Sequence, residues 1–174
     1  MAFGQTPADL YVLEEYRAWL AKQPGVPTLD EYKAHLIERG ADSVDAETQI
    51  RTIRVMEGQP SPFLADAVKG RKPGKALEIR IGTERDGSWL ARQGWDVLEI
   101  DPSKKAASPF QPGRWDLIVL TGVDFRPQTT EIAQSLRPGG IVVIEGTIPN
   151  VAGLFPGLKT IRSTGTRYCG EKPR

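Results

Sequence analysis

A chain of 174 residues with 39% hydrophobic and 26% charged residues can bury one substantial core, and a formal charge of +1 makes it neither a polyacid nor a strongly basic protein. No apolar run approaches the roughly 20 residues that a bilayer-spanning helix needs, and Met1-Ala2-Phe3-Gly4-Gln5-Thr6-Pro7 has neither the basic start nor the apolar centre of a secretory signal. A single cysteine, Cys169, excludes an internal disulfide, and with one histidine, His35, no Cys/His metal centre can form; the expected setting is a reducing cytoplasm, with no metal.

Thr6-Pro7-Ala8-Asp9 reads as a helix start, with a hydroxyl cap, a proline whose missing N–H costs nothing there, and an acid in the first turn. Leu10, Leu13, Tyr16, Trp19 and Leu20 then recur at helical spacing, and Pro24-Gly25-Val26-Pro27 ends the pattern. Thr28-Leu29-Asp30-Glu31 matches a capping box for a second helix closing at Gly40, with Leu29, Tyr32, Leu36 and Ile37 on one face and His35 as a packing or surface residue. A third helix is expected over 46–57 after a turn at 41–45, and a short one runs from Ser61-Pro62 to Gly70. Residues 1–58 are thus a helical extension, which packs as a lid, covers a sheet or meets a partner, and residues 59–174 form the main domain.

That domain opens on the stretch that organises the chain. Ala76-Leu77-Glu78-Ile79-Arg80-Ile81 is a short apolar strand meeting Gly82; a helical pattern follows to Gly94; a second apolar run ends on Asp101. This is a βαβ unit with a carboxylate at the tip of its second strand, the place where such folds hold the ribose of a nucleoside-containing ligand. Residues 102–113 are too rich in proline and small side chains for a long element. Trp115 to Leu120 reads as a buried strand, Pro127 to Leu136 as a helix, Ile141 to Glu145 as another buried strand, and residues 158–163 and 166–171 as a closing hairpin around Thr164-Gly165.

Lys72-Pro73-Gly74-Lys75-Ala76-Leu77-Glu78, the Gly82 turn with Arg85-Asp86, Trp89 to Val97, and Asp101-Pro102-Ser103 resemble the opening of the class I S-adenosylmethionine-dependent methyltransferases. Trp115 to Val119 and Leu136-Arg137-Pro138-Gly139-Gly140 running into Ile141 to Glu145 are similar to that family's fourth strand and its turn into the fifth. The resemblance implies an α/β, Rossmann-like, mostly parallel sheet, an abridged class I methyltransferase fold with an N-terminal helical extension. It implies S-adenosyl-L-methionine as the cofactor, with Glu78, Gly82, Asp101 and Thr121 as the cofactor-binding residues; Thr121, Gly122 and Asp124 would lie near the methyl acceptor. No catalytic residue is assigned, because methyl transfer rests largely on positioning.

Two departures from the family pattern touch the same pocket. The family's alternating glycines fall here at Arg80, Gly82 and Glu84, so only the middle glycine remains in a degenerate motif. Thirteen residues, Pro102 to Arg114, stand where the family places a helix, a third strand and a further helix, which leaves a sheet edge to be covered by the helical extension, a second copy or a protein partner. Two readings therefore stay open: an S-adenosylmethionine-binding, methyltransferase-like protein acting as a transferase on an unknown acceptor, or a catalytically inactive methyltransferase-fold module for binding or assembly. A nicotinamide-dependent oxidoreductase shares the βαβ logic but lacks the same glycines, and no Gly-x-Ser-x-Gly elbow supports triad chemistry. Residues 1–58 hold six Lys/Arg against ten Asp/Glu, and residues 59–174 hold seventeen against twelve. With no basic stripe interleaved with aromatics, that imbalance reads as a solvated surface, and neither nucleic acid nor membrane is an expected partner.

Overall fold

The computed structural model describes residues 6–25, 27–81 and 86–174, and the chain divides into two compact units, Met1–Gln59 and Pro60–Arg174. The first unit holds α1 (Pro7–Leu20), α2 (Leu29–Glu38) and α3 (Ser43–Glu57). The caps read in the sequence are formed: the Thr6 and Thr28 hydroxyls accept from the N–H groups of Asp9 and Glu31, whose carboxylates reach back to the cap N–H groups. Helix α3 starts before the expected residue 46, because Asp42 accepts from the N–H groups of both Val44 and Asp45 and caps the helix there. Leu13, Tyr16, Tyr32, Leu36, Ala46, Ile50 and Ile53 close a core of their own. The His35 ring packs 5.7 Å from Trp19 and 6.1 Å from Tyr32, which makes it a packing residue.

The second unit runs α4 (Pro62–Val68), β1 (Lys75–Arg80), α5 (Asp86–Arg92), β2 (Asp96–Ile100), β3 (Trp115–Thr121), α6 (Thr129–Ser135), β4 (Leu136–Glu145), β5 (Lys159–Thr164) and β6 (Arg167–Glu171). The strands form one sheet in the order β2-β1-β3-β4-β6-β5, with the first four parallel and β6 antiparallel to both its neighbours. Alternate side chains feed two cores: Leu77, Ile118, Leu120, Val142 and Ile144 pack with Ile132 of α6, while Ala76, Leu117, Val119, Ile141 and Val143 pack with Phe63 and Leu64 of α4 and Leu90 of α5. Both faces of the central strands are covered, which is why β3 and β4 read as continuous apolar runs.

Strand β4 begins five residues ahead of the expected Ile141. Leu136 pairs with Trp115 before the register shifts, and Gly139 takes a positive φ of 79° as the chain bulges back into the ladder. At Gly140 a Cβ would stand 2.9 Å from the Arg137 carbonyl oxygen and 3.0 Å from that of Trp115, so only glycine fits. Between β2 and β3 the chain forms neither helix nor strand. It runs as a strap in which Phe110 packs on the core and the Pro109 carbonyl accepts the Trp115 indole N–H at 2.9 Å. The abridgement leaves β2 at the sheet edge.

Candidate functional site

Parallel strands place their C-terminal ends side by side, and here that rim collects polar side chains. The register aligns Ile79 with Ile100, Arg80 with Thr121, and Thr121 with Glu145. Asp101, one residue beyond Ile100, Arg80, Thr121 and Glu145 therefore stand on the ends of β2, β1, β3 and β4, four adjacent strands. The structure thus brings Asp101 and Thr121 to one rim. Gly82 and Glu84 lie outside the described residues.

Asp101 is exposed and pinned. Its Oδ1 accepts from the Ser103 N–H at 2.9 Å and the Ser103 hydroxyl at 2.6 Å. These bonds hold its carboxyl below the usual carboxylate range, with small help from Lys104 and Arg80. Oδ2 makes no hydrogen bond among the described residues. Glu78 has a different role: it is 1% exposed, and its two oxygens accept the N–H groups of Asp86 at 3.1 Å and Gly87 at 3.0 Å. Burial first, then the negative charge of Asp86, push its carboxyl up to about 7, against the opposing pull of Arg80, whose Nε is 3.8 Å away. Glu78 thus ties down the start of α5 and does not line the rim.

The rim continues through residues that the sequence reading did not single out. The Ser61 N–H donates to Asp86 Oδ1 at 3.0 Å, and its hydroxyl donates to Glu145, whose other oxygen is 3.3 Å from Arg167 Nε. This chain fastens the α4 start to the first residue of α5, the end of β4 and the start of β6. Glu145 carried the same signal as Asp101, an acid closing an apolar strand. Beyond Thr121 the chain turns at Gly122, with a positive φ of 68° and its N–H donating to the Glu145 carbonyl at 2.9 Å. Asp124, near the expected acceptor side, is exposed and grips Arg126 at 2.6 and 2.9 Å; those hydrogen bonds lower its carboxyl to about 2 and leave it a poor proton acceptor.

A parallel sheet ordered this way, with one reversed strand and a polar rim at the C-terminal strand ends, is an abridged Rossmann-like α/β fold. No family model matches the chain. The ribosomal RNA small subunit methyltransferase C of Alcanivorax borkumensis is 31% identical over an alignment of 124 residues that covers 51% of this chain and 37% of that relative. The chain therefore spans under two thirds of that relative's length. The 1,6-didemethyltoxoflavin-N1-methyltransferase of Burkholderia thailandensis, solved with 1,6-didemethyltoxoflavin and S-adenosylhomocysteine, matches at a TM-score of 0.52 and 17% identity over 87% of this chain and 93% of that one. The fold is that of the S-adenosylmethionine-dependent methyltransferases. Among the described residues no helix is long and apolar enough to cross a membrane.

Proposed function

We propose that residues 59–174 form an S-adenosylmethionine-binding domain of methyltransferase type, with residues 1–58 as a separate helical extension. The observation that carries this reading is Asp101, a carboxylate oriented through one oxygen by Ser103 while the other is open at the rim. That geometry suits the adjacent hydroxyls of a ribose. The Thr121 hydroxyl joins it from a strand end two places along, and Glu78 acts as a positioning residue by fixing the Asp86 and Gly87 backbone. Gly82 enters by resemblance, as the place where the family's backbone approaches its ligand. When bound, S-adenosylmethionine supplies a methyl group activated by its sulfonium; the acceptor is to be held in line by the side of the rim that includes Thr121 and Gly122. The names of the relatives in Alcanivorax and Burkholderia support this class of chemistry. Cys169, buried and alone, fits a reducing cytoplasm.

A second reading, a non-catalytic module for binding or assembly, is favoured by two observations. Arg80, where the family has glycine, is largely buried beside Glu78, and the strap at 102–114 provides no third strand or helix beyond β2. The β2 edge would then receive a second copy or a protein partner. Calorimetric titration of the full chain with S-adenosylmethionine and S-adenosylhomocysteine separates the two. Saturable heat with a sub-millimolar Kd supports the first; no heat and no thermal shift at millimolar ligand establishes the second.

A further inference from the structure

We propose that the end of the sheet opposite Asp101 and Thr121 docks the phosphodiester backbone of a nucleic acid. The fold gathers there cations that are scattered in the chain: Lys72 and Lys75 at the start of β1, Arg114 before β3, Lys159 at the start of β5, and Lys172 and Arg174 beyond the end of the antiparallel β6. The register proves the common end. Lys159 pairs with Glu171, Glu171 with Ile141, Ala76 with Leu117, and the Lys75 N–H donates to the Asp116 carboxylate.

Two further cations at this end, Arg71 and Arg137, are neutralised by Glu171 at 2.7 Å and Asp116 at 3.0 Å. None of the six named first has a carboxylate partner among the described residues. Asp96, at the start of β2, is the one other acid on these strand starts. Over the opposite end of the sheet acids and bases balance, with Asp101, Asp124, Glu145 and the buried Glu78 and Asp86 set among Arg80, Lys104, Lys105, Arg126 and Arg167. Helix C-termini attract cations, and this accounts for Arg71 on the Ala67 carbonyl and Lys172 on the Gln134 and Leu136 carbonyls. It does not account for Lys75 or Lys159, which start strands.

From β1 to β5 is four strand spacings, roughly 19 Å, a span on the scale of several backbone phosphates. The large exposed hydrophobic residues described in this unit are Ile81, Leu98 and Ile161, and of these only Ile161, two residues along β5 from Lys159, is near this end. A bilayer is the poorer partner, because a cationic surface with a single exposed isoleucine beside it offers little apolar insertion and holds a membrane weakly. Trp115 at the same end is buried, so among the described residues this end offers bases no aromatic platform and the contact reads phosphates alone.

The test is fluorescence anisotropy of the full chain with a labelled RNA duplex of about 16 base pairs, which is long enough to span the surface. Expected is binding that falls with salt at a log–log slope of about −3 to −4, as for some four phosphate contacts, with equal affinity for a DNA duplex of the same sequence. The variant Lys72→Gln/Lys75→Gln/Lys159→Gln/Arg174→Gln, its fold checked by circular dichroism, should bind at least about tenfold more weakly with a flattened slope. Lys104→Gln/Lys105→Gln, at the other end of the sheet, should stay within about twofold. Equal weakening by the two variants, no binding at low salt, or binding to phosphatidylserine vesicles in place of duplexes would each overturn the proposal. The readout needs no methyl donor, so its failure leaves the S-adenosylmethionine reading untouched.

Discussion

Glu78 on β1 lies directly opposite Glu99 on β2, and both carboxylates converge on Gly87, where an added Cβ would overlap an oxygen of each. Two acids on one face, with Asp86 beside them, are tolerable because Glu78 holds its proton more tightly than an ordinary carboxyl, up to about 7.

The folded state therefore binds more protons than the unfolded chain between the ordinary value of 4.5 and about 7. Where the native state binds the extra proton, stability falls as pH rises. Unfolding free energy should drop by roughly 2–3 kcal/mol between pH 5 and pH 8 from this one group. Glu78→Gln should remove that slope, measured as the difference between the two proteins' urea transitions at each pH. A variant that keeps the wild-type slope would show that Glu78 is not its source.

Gly140→Ala should destabilise by at least about 2 kcal/mol, since its Cβ meets three backbone oxygens that cannot swing aside. Gly157→Ala, which meets nothing within 4 Å, should change stability by less than about 0.5 kcal/mol. Denaturant midpoints of the pair test the β4 bulge.

The Cys169 thiol, pushed up to about 11 by burial on β6, should resist a disulfide reagent at pH 8 in the native protein and react fully in guanidinium. Rapid native labelling would mean that β6 opens readily.

Asp101→Ala should weaken S-adenosylmethionine binding at least about tenfold, as expected for losing charge-assisted hydrogen bonds to the ribose, while the melting temperature stays within a few degrees. Calorimetry reads the first and a thermal scan the second. Equal heats from wild type and variant would remove Asp101 from the site.

Much of the fold was legible because its signals are local. The Thr6 and Thr28 caps, the apolar runs of β1, β3 and β4, and the glycines after the helices each act within a few residues. The β4 start was misplaced because Leu136 to Gly140 carries turn residues, yet tertiary pairing with Trp115 draws it into the ladder. Asp101 was legible as an acid closing a strand, and Glu145 carries the same signal. What no local pattern shows is that Ser61 donates to Glu145 across 84 residues, or that Lys75 and Lys159 share one end of a sheet. Those relationships exist only once topology has placed β4 and β6 between β1 and β5.

The strap between β2 and β3 also bears on how the domain assembles. Parallel strands must wait for long loops to close before their contacts form, and closure entropy grows with loop length by about 0.6 kcal/mol per doubling. By crossing from one parallel strand to another in fourteen residues with no intervening helix, the chain lowers that barrier where β-rich topologies are slowest. Inserting a flexible linker into 102–108 should slow refolding with little change in unfolding rate.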